Sequence, residues 1–112
     1  MSAARLDVEA RRSAPIFAAL GDETRIELVA RLWTKGPLSI AALTEGTDVT
    51  RQAVTKHLHV LEGAGLVRGS RQGRESVWEL APKSLDDARK FLDLVSRRWD
   101  DALARLKAHV ER

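Results

Sequence analysis

Residues 50–80 read TRQAVTKHLHVLEGAGLVRGSRQGRESVWEL, and the first half of this stretch decides the fold. Thr50 suits the N-cap of a helix running from Arg51 to about Glu62, because its hydroxyl can accept from a free first-turn N–H. Val54, Leu58 and Leu61 recur at i, i+4 and i+7 and define the inward face of that helix. Gly63 and Gly65 close it. Just upstream, Ser39 is placed to cap a short helix through Ile40, Ala42 and Leu43, which Gly46 ends. Two short helices with a tight, glycine-containing connection form the helix-turn-helix pattern. Downstream, residues 66–71 and 74–80 read as the arms of a β-hairpin turning at Gln72-Gly73, with Val67, Val77 and Trp78 supplying strand propensity. Arg71 and Arg74 flank the tip, and Pro82 is expected to end the second arm. A basic hairpin directly after such a helix reads as a wing.

Once the inward residues of the helix after Thr50 are subtracted, Arg51, Gln52, Thr55, Lys56 and His59 face outward, with His57 toward the boundary. Each can bond to phosphate or to a base edge. Arg and Lys match guanine acceptors, Gln matches the donor–acceptor pair of adenine, and Thr can reach a phosphate or a thymine methyl. Residues near the N-terminus of such a helix are the best placed, since that end enters the major groove. The charge distribution agrees. Residues 50–75 carry Arg51, Lys56, Arg68, Arg71 and Arg74 against Glu62 and Glu75, a balance of +3 that equals the net charge of the whole chain. The remaining residues are neutral, so the electrostatic footprint for phosphates lies in one quarter of the sequence. On the hairpin, Arg71 and Arg74 can reach DNA backbone or minor groove.

The flanks suggest how this unit is completed. Ser13 is a candidate N-cap for a short helix that tolerates Pro15 and ends at Gly21, while residues 1–12 are open between a helical extension and a frayed segment. Asp22 is placed to cap the next helix, whose Ile26, Val29, Leu32 and Trp33 form one apolar stripe before Gly36-Pro37. Ser84 is the expected cap of a last helix. Its Leu85, Ala88, Leu92, Val95, Trp99, Ala102 and Leu106 alternate steps of three and four, and Phe91, Leu94 and Leu103 widen the stripe to a second face. A helix with two apolar faces needs more partners than one small domain offers, and a second subunit supplies them. Leu92, Val95, Trp99, Leu103 and Leu106 are the candidate dimer contacts. The fold class is therefore mainly α with a small β-hairpin, a winged helix-turn-helix. Its expected divisions are residues 1–12 as an extension, 13–83 as the DNA-binding domain and 84–112 as a dimerisation helix.

Composition sets the outer bounds. The chain has 112 residues, 44% hydrophobic and 31% charged, an ordinary mix for one globular domain with a modest core. No apolar run is long enough to span a membrane, and the N-terminal residues lack the apolar core of a secretory signal, so a cytoplasmic protein is expected. The absence of cysteine removes disulfides, thiolate metal sites and thiol catalysis. No phosphate-binding glycine loop, nucleophile elbow or metalloprotease motif appears, and the adjacent acids Asp86-Asp87 and Asp100-Asp101 diverge on a helix. No catalytic residue and no cofactor is assigned. Trp33, Trp78 and Trp99 each occupy an apolar position of their element, which points to packing in a core or an interface.

Asp22-Glu23-Thr24-Arg25, then Val54-Thr55-Lys56-His57-Leu58-His59-Val60-Leu61, then Ala64-Gly65-Leu66-Val67, resemble the ArsR/SmtB winged-helix repressors. The resemblance covers roughly residues 14–80. It implies a homodimer built from the first and last helices, which adds Phe17 to the candidate contacts. It also implies operator binding by the helix carrying Thr50, Arg51, Gln52, Thr55, Lys56 and His57, with release by an inducer that the sequence does not name. The metal-sensing members carry cysteines near the helix that here reads Leu38-Ser39-Ile40-Ala41-Ala42-Leu43, or paired His and carboxylate ligands on the last helix. Here there is no cysteine, and only His109 stands on that helix, so no metal site is expected. Two other readings stay open: a regulator sensing a small organic ligand between subunits, and a winged helix used as a protein-interaction module.

Overall fold

The computed structural model describes residues 3–111 and orders them as five helices and three short strands. These are α1 (Ala3–Leu20), α2 (Glu23–Lys35), β1 (Leu38–Ser39), α3 (Ile40–Glu45), α4 (Arg51–Gly63), β2 (Val67–Gln72), β3 (Glu75–Leu80) and α5 (Pro82–Val110). The sheet is antiparallel in the order β1-β3-β2. Leu28, Leu32, Ile40, Leu43, Val54, Leu58, Leu61, Leu66 and Val67 pack into one core, closed on the sheet side by Trp78. The helix-turn-helix of α3 and α4 is thus held from behind by α2 and from the side by the hairpin.

Both caps that define the helix-turn-helix form as the sequence suggests. Ser39 accepts from the Ala42 N–H and Thr50 from the Ala53 N–H, each at 3.1 Å. Elsewhere the structure corrects the sequence reading. Ser13 does not cap a helix. It lies buried inside α1, donating to the Asp87 carbonyl at 3.3 Å, and the helix runs on through Pro15. Packing along α5 outweighs the local signals, as tertiary contacts usually do for helices. Met1 and Ser2, which belong to the segment left open between helix and fraying, lie outside the described residues; residues 3–12 are helical. Pro82 opens α5 rather than merely ending the strand, with Ala81 at the N-cap and Ser84 within the first turn. A proline fits there because its missing N–H has no acceptor to lose in a first turn.

The hairpin also turns one residue later than expected. Gln72 pairs with Glu75, so the two-residue loop is Gly73-Arg74. Gly73 has φ 65°, and among the described residues no non-glycine residue has positive φ, the pattern of a type II′ turn. The tiny strand β1 had no signal of its own: Leu38 and Ser39 are extended because they pair with Trp78 and Val77. On α2 the core takes Leu28 and Leu32, while Ile26 and Trp33 are exposed, so the expected single stripe is split between two surfaces. The second face of α5 is served within the chain at Phe91 and Leu94 but not at Leu103. Leu94 is buried, and Phe91 meets Phe17 of α1 edge-on at 5.8 Å between ring centroids.

Candidate nucleic-acid interface

Helix α4 presents its outward side as one continuous strip. Arg51, Gln52, Lys56 and His59 are exposed, Thr55 is half-buried, and the first turn holds no acid. Their spacing keeps them on one side of a 3.6-residue helix, opposite the buried Val54, Leu58 and Leu61. The two threonines are already engaged. The Thr50 oxygen serves as the cap, and the Thr55 hydroxyl donates back to the Arg51 carbonyl at 2.9 Å, leaving its methyl group and a lone pair available.

Toward its C-terminus this strip runs into a cleft of about 380 Å³ lined by His59, Glu62, Gly69, Ser70, Arg71, Ser76 and Trp78. The sheet register explains the membership. Gly69 and Arg71 alternate onto the same face of β2 and stand opposite Trp78 and Ser76. Arg71 therefore shares a surface with the outward side of α4, while Arg74 sits at the turn itself. Glu62 is the one acid in the cleft. One of its oxygens contacts His59 Nδ1 at 3.2 Å, and the other accepts from the Gly69 N–H at 3.4 Å. It fastens the base of the wing to the helix. Arg68 is held by Glu79 at 3.0 Å across the hairpin. Among the described residues no carboxylate lies within 4.0 Å of Arg51, Lys56, Arg71 or Arg74.

His57 is not part of this strip. Its ring turns toward the start of α2, where the Arg25 guanidinium meets Nδ1 at 3.2 Å and Asp22 Oδ2 lies 3.9 Å away. A guanidinium only donates, so this contact needs the tautomer in which Nδ1 accepts. Arg25 also donates through Nε to the Ala19 carbonyl at the end of α1. One arginine thus links α1, α2 and α4, and His57 sets the seating of α4. Asp22 occupies the N-cap position of α2, but its side chain makes no capping bond.

A second brace escaped sequence reading. Arg31 donates to the Leu43 and Ala42 carbonyls, satisfying the end of α3, and it lies where a side chain on Gly46 would have to stand. Only the long-range fold brings Arg31 to α3, although the glycine closing a six-residue helix is its local trace.

The candidate dimer residues divide likewise. Leu92, Val95, Trp99, Leu103 and Leu106 are all exposed, whereas Phe17 is half-buried against its own chain. Among the described residues no group of three His, Asp or Glu side chains is arranged to hold a metal ion, and no helix is long and apolar enough to cross a membrane.

A capped two-helix unit, an acid-free first turn on the second helix and a basic hairpin beside it define a winged helix-turn-helix DNA-binding protein. Comparison with known proteins narrows the class. A family described as a helix-turn-helix domain matches residues 20–70. The chain is 41% identical over 87 residues to the HTH-type transcriptional regulator Rv2034 of Mycobacterium tuberculosis, covering 78% of each protein. The solved ArsR-like transcriptional regulator from Rhodococcus sp. RHA1 superposes with a TM-score of 0.73 at 35% identity, over 88% of this chain and 92% of that one. A homodimeric winged helix-turn-helix domain from Mycobacterium bovis shares the fold at 24% identity and a TM-score of 0.63, over 94% and 93% of the two chains. The chain belongs to the ArsR family of winged helix-turn-helix transcriptional regulators.

Proposed function

We propose that the protein is a homodimeric repressor that binds a palindromic operator with α4 in the major groove and the hairpin against the flanking backbone. The observation that carries this reading is the strip from the first turn of α4 to the wing, on which, among the described residues, Arg51, Lys56 and Arg71 have no carboxylate partner and Glu62 is the one acid in the adjoining cleft. Arg51, Gln52 and Lys56 read base edges near the helix N-terminus. Thr50 and Thr55 approach the backbone, His59 borders the wing cleft, and Arg71 and Arg74 bind phosphate or a narrow minor groove. His57 positions α4 from behind. The dimer uses the exposed side of α5, in accord with the homodimeric relative of the same fold. No enzymatic step is assigned to the chain, and a repressor acting on chromosomal DNA works in the cytoplasm.

The test is a gel shift with the DNA upstream of the protein's own gene, against scrambled DNA of equal length. A specific complex that resists excess scrambled competitor is expected. Equal retention of both DNAs at physiological salt, or none, overturns the reading and favours an interaction module built on the same fold.

A further inference from the structure

Two groups of opposite charge compete for Nδ1 of His57. The Arg25 guanidinium meets it through Nη1 at 3.2 Å, and Asp22 Oδ2 lies 3.9 Å away. An arginine only donates, so the contact with Arg25 needs Nδ1 bare, with the ring proton on Nε2. The carboxylate asks for the opposite. Asp22 Oδ2 is buried and accepts no hydrogen bond among the described residues, and a proton on Nδ1 would supply one. Leaving such an oxygen unsatisfied is costly, so the contact that keeps Nδ1 bare must outweigh it.

That contact spans the molecule. Through Nε the same guanidinium donates to the Ala19 carbonyl at the end of α1. This end of α1 is fixed in place. Ile16 and Ala19 lie in the core, Ser13 is bonded to the Asp87 carbonyl of α5, and Phe17 meets Phe91 of α5. At the other end of the link, His57 stands next to Leu58 and three residues after Val54, both fully buried. Its ring therefore leaves α4 at the edge of the inward face, away from Arg51, Gln52 and Lys56. One arginine with a nitrogen on each side sets the placement of α4 relative to the layer of α1 and α5.

We infer that Arg25 is a positioning residue for operator recognition. By keeping His57 Nδ1 an acceptor it ties α4 to the α1–α5 layer; without it His57 gives its proton to Asp22 and α4 shifts on the bases. This rests on operator reading by α4 as proposed above. Bonds to base edges are directional and are lost when the helix moves slightly, whereas phosphate contacts carry no sequence information. Loss of the tie therefore lowers discrimination between sequences rather than affinity for DNA at large.

Two amides at position 57 separate this role from ordinary packing. Asparagine carries its carbonyl oxygen at the branch where His57 carries Nδ1, and the amide of glutamine lies one carbon further out. His57→Asn should keep the ratio of operator to scrambled-DNA affinity within about threefold of the parent, and His57→Gln should lower it by about tenfold or more. Arg25→Ala should lower the ratio as far, with binding to scrambled DNA unchanged. R25A/H57Q should lose no more than either single variant, because both remove one link. Equal ratios for His57→Asn and His57→Gln overturn the inference, and this pair decides the matter even where Arg25→Ala fails to fold. A fall on both DNAs with a flatter salt slope makes Arg25 a phosphate contact instead and also overturns it. Nitrogen NMR of the imidazole rings reads the tautomer. His57 Nδ1 should be bare in the parent and protonated in Arg25→Ala; a proton on Nδ1 in the parent, or no change in the variant, refutes the tie. Should the parent itself fail to distinguish operator from scrambled DNA, operator reading falls and this role falls with it, whereas a discriminating parent with unaffected variants sinks the role of Arg25 alone.

Discussion

At the scale of single residues, the interface combines groups left free with groups already spent. Glu62 is engaged by Gly69 and His59, and Arg68 by Glu79, and Glu62 keeps its negative charge in the cleft it shares with Arg71. Gln52 and Arg71 are both unspent yet should differ in kind. Gln52 stands in the first turn of α4, where a bidentate bond to a base is within reach. Gln52→Ala should cost about 1–3 kcal/mol on the operator, blur preference at one position per half-site and leave the salt dependence unchanged, because a neutral side chain displaces no counterion. Arg71→Ala should weaken operator and scrambled DNA alike and flatten the salt slope by roughly one unit per lost phosphate contact, up to about two in a dimer. Titrations at several salt concentrations separate the two, and identical changes in both variants would refute the division. Gly46 illustrates a residue chosen by what it leaves empty. Gly46→Ala drives a methyl group into the Arg31 guanidinium and breaks its bonds to α3. A loss of about 1–2 kcal/mol is expected in urea unfolding. In the double variant with Arg31→Ala the losses should fall short of additivity, since each removes the same brace.

At the scale of elements, the caps carry the local logic. Thr50→Ala should lower stability by about 1 kcal/mol in thermal unfolding, and Thr50→Ser should restore most of it, because only the hydroxyl oxygen reaches the Ala53 N–H. Restoration absent in the serine variant would mean the methyl group, not the cap, is what matters. Elements with such chemistry were legible in the sequence: α3 and α4 start where Ser39 and Thr50 place them. The elements that were not legible depend on residues far away in the chain. β1 is extended only because β3 lies beside it. α1 runs on through Ser13 and Pro15 because Ser13 is bonded to the Asp87 carbonyl of α5 and Ile16 and Ala19 pack in the core. On α2, spacing marked Ile26, Val29, Leu32 and Trp33 as apolar but could not say which surface each would meet. Periodicity reports the existence of an apolar face, and a helix that serves both a core and a second surface has two. The strip on α4 was readable for a related reason: with Val54, Leu58 and Leu61 fixed inside, geometry assigns the outside. His57 fell at the edge of that assignment, and its partners Asp22 and Arg25 are set by the fold.

At the scale of the whole molecule, the proposed dimer rests on the exposed end of α5, and the form of the DNA site follows from that dimer. A monomer that leaves Trp99 65% exposed beside Leu103 and Leu106 presents to water an apolar surface that a second copy can bury. Trp99→Glu should therefore yield monomers in sedimentation equilibrium, and a dimer as tight as the parent would exclude this side of α5. The same symmetry fixes the form of the operator. A two-fold pair presents two copies of α4, and each enters a major groove on the same side of the duplex. The half-sites should then be inverted repeats with centres about one or two helical turns apart, at roughly 34 Å per turn. The monomeric Trp99→Glu protein keeps its reading residues but engages one half-site at a time. It should lose most of its operator affinity while contacting the same bases, because the second half-site no longer binds at high effective concentration. Footprinting of parent and variant on an operator and on a single half-site measures both points. One unpaired half-site protected by the parent protein would contradict the two-fold arrangement, as would a variant that binds the full operator as tightly as the parent does.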